Sequence, residues 1–461
     1  MFKIVLEKEL REILGTTKFA LTFGICALLI VLAFYVGANN YRSSQQQYEA
    51  SIAENLHQME GLTWWANIDH RLFLPPQPLA SLVSGVSNDI GRTTELTVNY
   101  SELSPRGTRY NENPIFAVFR FLDLEFIFAV VLSLFAILFG YDAINGEKER
   151  GTLRLAFSNS VPKDQYILGK LVGSFVALTV PLMIPLLIGS LLLLILGVPM
   201  DADSWLRLGL IITLGFLYIG TFLTLSVLVS TLTQHSSSSF LMLLIIWIFA
   251  VLIVPRTAVL VAARSSDVPS IDEVDYEKSV FEQQHLTESI KLSQKWFQGH
   301  TKLRDENREQ WEIERRKFVR DQSIEHESKL GKMQDRINED RENKMIERQR
   351  IALLIARISP TASFSIAASE LASTSLALRA AYLKSARDYR PIFDAFVPEF
   401  YDERVDIPDG IDPQELPVFQ FRPPSLSAAV SASMFDFGLL ILFNIGFFTG
   451  AVVAFLKYDV R

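Results

Sequence analysis

Long apolar runs alternate with charged segments along this chain. Six of the runs contain about 20 residues or more, the length that an α-helix needs to cross the roughly 30 Å hydrocarbon core of a bilayer. These runs are residues 19–37, 121–140, 168–197, 205–230, 238–262 and 430–456. The pattern therefore predicts six transmembrane helices.

The composition agrees with this division. Of the 461 residues, 49% are hydrophobic and 21% are charged, so the two classes must occupy different parts of the chain. The formal net charge is -7, and basic residues alternate with acids, which gives no reason to expect a nucleic-acid partner. The lone cysteine, Cys26, lies in the first run, so the chain has no internal disulfide.

The distribution of basic residues predicts the orientation. The first run is longer than the core of a signal peptide, and we interpret it as a retained anchor. Lysine and arginine are frequent before residue 19, in 141–170 and after residue 456, whereas 197–203 contains acids and no bases. By the positive-inside rule, we expect a multi-pass protein of the cell (inner) membrane with both termini in the cytoplasm.

Two long polar segments then lie outside. Residues 38–114 are expected to form an ordered cap with little regular structure. Residues 263–428 include a proline-free stretch, 270–359, that favours a long helical hairpin or bundle with turns at Gly299 and Gly331. Its charges suit a solvated face, with partner docking as the alternative. The expected fold class is an all-α membrane protein: six transmembrane helices with a mainly helical extracytoplasmic domain.

Residues 351–383 are small and apolar over much of their length. Interfacial or re-entrant packing is the favoured interpretation, and ordinary bundle core and a seventh span are the alternatives. Pro360 and many hydroxyl side chains weaken a span, which would also move the C-terminus outside.

Sequence motifs for catalysis are missing. The chain has no GxxxxGK[ST] phosphate loop, no HExxH and no GxSxG, and its six histidines lack metal-ligand spacing. We therefore expect no enzyme active site, no bound cofactor and no metal site in this chain.

Charged residues open the second run. Arg120, Asp123 and Glu125 would be costly at mid-membrane and far less costly at the interface. Interfacial placement with an Arg120–Asp123 ion pair explains them, and a role in gating or substrate contact is the alternative.

The polar interruption at 141–170 carries an apolar face. Leu153, Leu155 and Phe157 lie in a segment that the positive-inside rule places in the cytoplasm. A short amphipathic helix on the membrane would bury this face, and a partner protein would bury it better.

The same segment resembles a motif of one family. An aspartate after the second span precedes a glutamate-rich turn, Gly-Thr-Leu-Arg, Ser-x-x-Val-Pro-Lys and then Leu-Gly-Lys. The matching residues are Asp142, Glu147, Gly151, Thr152, Leu153, Arg154, Ser158, Val161, Pro162, Lys163, Leu168, Gly169 and Lys170. This pattern is similar to that of type 2 permeases, the transmembrane subunits of ATP-binding-cassette (ABC) transporters. Members often have arginine at the position of Lys163.

Other parts of the chain extend the resemblance. The stretch EKELREIL is similar to the family's amphipathic connecting helix, which would occupy residues 1–18 on the cytoplasmic side. The resemblance covers 1–37, 115–262 and the last span. A subgroup with a large extracytoplasmic domain between the fifth and sixth spans looks similar over the insert, including RISPTASF.

The resemblance implies half of a transporter. Two permease subunits, identical or related, would pair in the lipid bilayer, and cytoplasmic ABC ATPase subunits carrying ATP and Mg would bind beneath them. Residues 141–167 would be the coupling loop. Its implied ATPase-coupling residues are Asp142, Glu147, Gly151, Thr152, Leu153, Arg154, Leu155, Phe157, Pro162 and Lys163.

Export of a substrate is the favoured function. One alternative is a mechanotransmission subunit that acts on an envelope protein through 263–428 without moving a substrate. A membrane-anchored scaffold without energy coupling is the other alternative.

Overall fold

The computed structural model describes residues 2–63, 69–87, 91–96, 123–158, 162–265, 267–396, 412 and 415–457. The helices are α1 (Phe2–Leu14), α2 (Thr17–Met59), α3 (124–140), α4 (Asn145–Glu149), α5 (Thr152–Ser158), α6 (Lys163–Ile195), α7 (Ala202–Leu232), α8 (Ser236–Ser265), α9 (Ile271–Gly299), α10 (Thr301–Glu306), α11 (Arg308–Ala356), α12 (Pro360–Leu371), α13 (Leu376–Phe396) and α14 (Leu426–Lys457). Two short strands, β1 (His70–Phe73) and β2 (Thr93–Leu96), pair antiparallel with His70 opposite Leu96.

Among the described residues, six helical segments are long and apolar enough to cross a membrane. They are α2, α3 together with α4, α6, α7, α8 and α14. This confirms the predicted all-α membrane class. We call the end of the bundle that carries α1, α4 and α5 the loop end, and the end that carries the strands the insert end.

The first span is longer than expected. Thr16 caps α2 by accepting a hydrogen bond from the Phe19 N–H at 3.2 Å, and the helix then continues to Met59. We expected little regular structure in 38–114, and this is wrong for its first part. Residues 38–59 contain neither glycine nor proline, so nothing in the backbone ends the helix at the membrane boundary.

The fourth span, α7, is central. In its most apolar stretch 61% of the residues are buried, against 17% for α14. Small residues let α3 approach it closely, since a Cβ at Gly215 would lie 2.3 Å from the Phe128 ring and one at Gly140 would lie 2.5 Å from Ser226 Cβ. Close packing of this kind holds helices together where lipid offers no hydrophobic driving force.

The helices α9 and α11 form an antiparallel hairpin. Trp296 of α9 stacks on Phe318 of α11 with centroids 4.8 Å apart. The 29 residues of α9 extend about 43 Å and end at Gly299, as predicted. Gly331 lies inside α11, so the turn predicted there is wrong. One glycine costs a helix only about 1 kcal/mol, and the strong helix formers beside it outweigh that cost.

After the hairpin, α12 turns back among the spans. Its Phe364 is fully buried and stacks on Tyr218, near the middle of α7, with centroids 4.8 Å apart. The helix also packs against α14 and α8. This placement buries α12 inside the bundle, which fits both the re-entrant and the bundle-core interpretations of 351–383, so the preference between them stays a prediction.

Arg207 joins the connectors at the insert end. Its guanidinium is buried and donates to Asp203 Oδ2 and Ser373 Oγ, both at 2.8 Å. It also donates to the main-chain oxygens of Leu371 at 3.1 Å and Pro424 at 2.7 Å. A single charged side chain thus fixes both α12 and the start of α14 to α7.

A small second core lies beyond Arg207. Met59, Leu72, Leu96 and Phe393 pack together there, joining α2, both strands and α13. His70 is buried beside them. Its Nε2 is 3.0 Å from the Tyr389 hydroxyl, and its Nδ1 has no hydrogen-bond partner among the described residues.

This histidine predicts a pH dependence of stability. Burial lowers the pKa of His70 to about 4, with the Asp69 charge acting in the opposite direction. The unfolded chain therefore binds more protons than the folded chain between about pH 4 and 6.5, and stability falls as the pH falls through that window. Acidification from pH 7 to pH 5 should lower the free energy of unfolding by about 2 kcal/mol.

Thermal unfolding of the full chain in detergent, at a series of pH values, tests this. His70→Gln should flatten the acid slope, whereas His57→Gln, at an exposed position, should leave it unchanged. An unchanged slope in His70→Gln would contradict the assignment.

Candidate functional site

The segment between the second and third spans forms two short helices at the loop end. The helices α4 and α5 are joined by a turn that contains Gly151. The backbone φ of Gly151 is +73°, a conformation that residues other than glycine rarely adopt. The α5 helix then runs from Thr152 to Ser158. The part of the motif from Asn145 to Ser158 therefore folds as two short helices joined by a tight turn.

Buried charges fix α4 to its neighbours. The Glu147 side chain is 8% exposed, and its Oε1 accepts hydrogen bonds from Lys8 Nζ and Lys170 Nζ, each at 3.0 Å. The Tyr166 hydroxyl donates to Oε2 of the same carboxylate. One glutamate thus holds together α1, α4 and α6.

A second carboxylate completes the network. Lys170 Nζ also contacts Glu9 Oε2 at 2.9 Å, and Glu9 Oε1 accepts from the Ser174 hydroxyl at 3.1 Å. Gly173 lets α1 approach, because a Cβ there would lie 2.8 Å from Glu9 Cβ. Two carboxylates and two lysines balance in charge, so α1 is fixed to the third span by a compensated cluster. We call Lys8, Glu9, Glu147 and Lys170 the charge cluster.

The opposite side of α4 is fixed to the turn between α7 and α8. The Asn145 side chain donates to Thr233 Oγ1 at 2.9 Å, and Lys148 Nζ donates to the Thr231 carbonyl at 2.8 Å. Glu149 Oε1 accepts from the N–H of Ser236, the first residue of α8, at 2.8 Å. The α4 helix is therefore linked to the start of α8 as well as to α3.

The three apolar residues predicted on α5 do not share one face. Leu153 is 2% exposed and packs with Ile144 and Phe455. Phe157 is half-buried against Tyr166 and Phe455. Leu155, in contrast, is 68% exposed. Two of the expected contact residues thus mount the helix on the bundle, and the third points away from it.

The remaining predicted coupling residues surround this face. Thr152 and Arg154 are exposed, and Asp142 is half-buried at the end of the second span. Pro162 directly precedes α6, and Lys163 Nζ lies 3.4 Å from the Leu456 carbonyl of the last span.

The charges predicted at the start of the second span lie at the other end of the bundle. Asp123 caps α3, with Oδ1 accepting from the Phe126 N–H at 2.8 Å and Oδ2 from the Ser84 N–H at 3.2 Å. Glu125 is half-buried on the first turn. Arg120, and with it the predicted Arg120–Asp123 pair, lies outside the described residues. Asp123 therefore has a structural task that requires no gating role.

Sequence reasoning missed several residues of the site. Lys8, Glu9 and Tyr166 had no assigned role, and neither did an ion pair between Arg357 and Asp436 inside the bundle. A charged residue inside an apolar run, as Asp436 is, was a usable signal. The partner of each charge could not be identified from the sequence, because Glu9 and Lys170, and likewise Arg357 and Asp436, are far apart along the chain.

Comparison with known proteins agrees with the geometry. The chain matches the model of the family described as "ABC-2 family transporter protein" over residues 3–460, and it belongs to that family. No curated protein matches the chain. The protein is therefore a type 2 ABC transporter permease: a multi-pass membrane component that works with ATPase subunits and is not itself the ATPase.

The charge cluster predicts a specific sensitivity. Lys170→Met should lower the stability of the full chain by about 3 kcal/mol, because it leaves buried carboxylates with too little positive charge. It should also free α1 from the third span. Thermal unfolding in detergent and protease sensitivity of α1 measure the two effects.

Lys18→Met is the matched control. Lys18 is exposed, donates to the Tyr141 hydroxyl at 3.3 Å, and is not a member of the charge cluster. It should behave as the parent protein does. Equal losses of thermal stability in the two variants would show that the charge cluster does not stabilise the chain more than an exposed lysine does.

Proposed function

We propose that this chain is the permease subunit of an ATP-driven exporter. A separate ATPase subunit, which carries ATP and Mg, binds the loop end and moves α4 and α5. One observation carries this proposal. The α5 helix exposes Leu155, and the preceding helix, α4, is fixed to α1 and α6 by buried charges. A coupling element must be rigid relative to the spans, since a flexible loop would absorb the displacement instead of passing it on.

The exposed residues of α5 suit a partner groove. Leu155 offers apolar area, and Thr152 and Arg154 beside it offer polar contacts. Burial of one leucine contributes about 1.5 to 3 kcal/mol, which changes affinity by roughly ten- to a hundredfold. The proposed contact is therefore large enough to measure from a single substitution.

The orientation follows from the same assignment. The loop end and both termini face the cytoplasm of the cell (inner) membrane, and the hairpin of α9 and α11 lies outside. The spans α8 and α14 are only 22% and 17% buried in their most apolar stretches, which leaves apolar faces for lipid or for a second permease subunit, identical or related.

A second candidate function is mechanotransmission to an envelope protein. The hairpin favours it, because α9 extends about 43 Å and α11 continues directly to the Arg357–Asp436 pair. In that case the moving part is the hairpin, and no substrate crosses.

Substitution of Leu155 tests the coupling site. Leu155→Asp should reduce the ATPase activity that co-purifies with the tagged full chain by roughly ten- to a hundredfold, because one apolar contact is lost. Leu155→Met keeps the apolar contact and should behave as the parent does. Phe157→Asp should instead lower the thermal stability of the chain, since Phe157 packs inward.

Undiminished ATPase recovery with Leu155→Asp would defeat the proposed docking face. The ATPase measurement uses vanadate-sensitive hydrolysis in the purified membrane complex, and gel filtration in detergent shows that the variant is folded.

Thiol labelling tests the orientation. Single cysteines at Lys317, exposed on α11, and Thr152, exposed on α5, are placed in a Cys26→Ser background. An impermeant maleimide should label Lys317→Cys in intact cells and Thr152→Cys only after permeabilisation. The reverse labelling pattern would show that the chain has the opposite orientation in the membrane.

A further inference from the structure

An ion pair lies at the junction between the hairpin and the bundle. Arg357, directly after α11, donates from Nε to Asp436 Oδ1 at 2.7 Å and from Nη2 to Oδ2 at 2.8 Å. Asp436 is fully buried and lies ten residues after Leu426, about 15 Å along α14. The guanidinium also lies 5.0 Å from the centre of the Phe435 ring. This bidentate contact fixes the end of the hairpin to the last span.

The same junction begins α12. Ser359 caps that helix by accepting from the Thr361 N–H at 3.1 Å. Ala258 of α8, Ala356 of α11 and Ala362 of α12 form a small buried cluster, so three helices meet with little side-chain volume between them. The first turn of α12 is thereby held against α8.

Two spans depart from α-helical geometry where they meet this turn. Residues Ile127–Leu132 of α3 and Ile248–Ile253 of α8 are π-helical. The Ala250 carbonyl accepts a hydrogen bond from the Ser359 hydroxyl. In each of these segments the regular main-chain ladder is interrupted.

A hydroxyl chain reaches the other π-helical segment. The Tyr218 hydroxyl donates to the Ala129 carbonyl at 2.9 Å and lies 3.0 Å from Thr361 Oγ1. The start of α12 is therefore joined to α8 through Ser359, and to α3 through Thr361 and Tyr218. Short π-helical turns often mark functional positions in helices.

Both spans are also linked to α4, which contacts α1, α6 and the end of α7 as well. The α4 helix follows α3 directly in the chain, and Glu149 of α4 binds the first residue of α8. A displacement at the loop end would reach the start of α12 by both routes. From there the Arg357–Asp436 pair leads to α11 and the hairpin.

We propose that Arg357 and Asp436 are a positioning pair that holds the start of α12 between the π-helical segments of α3 and α8, so that movement of these spans is passed to the hairpin. The inference rests on the proposed coupling at the loop end, where the movement would begin. In this proposal α12 acts as a lever inside the bundle: a small movement at its first turn produces a larger movement of the hairpin.

Distance measurements between spin labels test the linkage. Labels are attached to cysteines at Glu282, exposed on α9, and Leu194, exposed near the insert end of α6, in a Cys26→Ser background of the full chain in nanodiscs. The parent should show one narrow distance distribution. Asp436→Asn should replace it by a broad one, because the hairpin loses its ion-pair attachment to the last span.

The matched control is Asp394→Asn. It removes one partner of Arg390, in an ion pair of 2.9 Å on α13, away from α12. This variant should keep the narrow distribution. A narrow distribution in Asp436→Asn, or equal broadening in both variants, would overturn the proposal.

A second variant keeps the experiment decisive if Asp436→Asn does not fold. Thr361→Val preserves side-chain shape and the ion pair but removes the hydroxyl link to Tyr218. In the parent we expect ATP and vanadate to shift the hairpin distance in the purified complex with the ATPase. Thr361→Val should leave the resting distribution narrow and abolish that shift. A shift of the parental size would overturn the lever.

The same measurement separates this proposal from the coupling proposal. Leu155→Asp should lose both the ATPase and the ATP-dependent shift while the resting distance stays narrow. Asp436→Asn should keep the ATPase bound and lose the shift. If Leu155→Asp keeps both the ATPase and the shift, the loop-end proposal fails on its own account.

Discussion

A charge inside this bundle must be neutralised by a neighbouring side chain, because hydrocarbon offers no water to solvate it. That constraint determines which segments meet. Lys170 joins α6 to α1 through Glu9 and to α4 through Glu147. In each case the charge on one helix is satisfied by a charge on another helix, so the helices cannot rearrange without leaving a charge unpaired.

The same constraint operates at the other junctions. Arg357 pairs with Asp436 where the hairpin meets the last span, and Arg207 pairs with Asp203 while holding two connectors. A well-packed apolar side chain can stabilise a buried position as well as an ion pair can, whereas removal of one partner costs about 3 to 5 kcal/mol. Pairs of this kind therefore specify the arrangement more than they add to stability.

Much of the fold was predictable because one physical requirement dominates it. Apolar length alone identifies the six spans, and the absence of proline in 270–359 predicts the helical hairpin. The errors occur where local signals are weak. Gly331 does not end a helix whose neighbouring residues favour it. Likewise, α2 runs through Gly37 and continues to Met59, because residues 38–59 contain neither glycine nor proline.

The candidate site was predictable in position and less so in detail. The motif at 141–170 located the short helices, but a seven-residue helix with several apolar side chains has no periodicity that shows which of them face inward. Leu153 and Phe157 turned out to pack on the bundle, and only Leu155 points outward. The charge cluster was hidden for another reason, since Glu9 and Lys170 lie 161 positions apart and only the folded chain brings them together.

The relative strengths of the contacts around α12 indicate how a lever of this kind would work. A hydroxyl–carbonyl bond, such as that from Tyr218 to Ala129, contributes about 0.5 to 1.5 kcal/mol, whereas breaking a buried ion pair costs about 3 to 5 kcal/mol. A displacement of α3 or α8 would therefore exchange the hydroxyl contacts before it separated Arg357 from Asp436. The carbonyls of the π-helical segments lie where such exchange would occur, and the ion pair is the fixed point. The start of α12 would then turn about Arg357, and the hairpin, attached at that point, would follow.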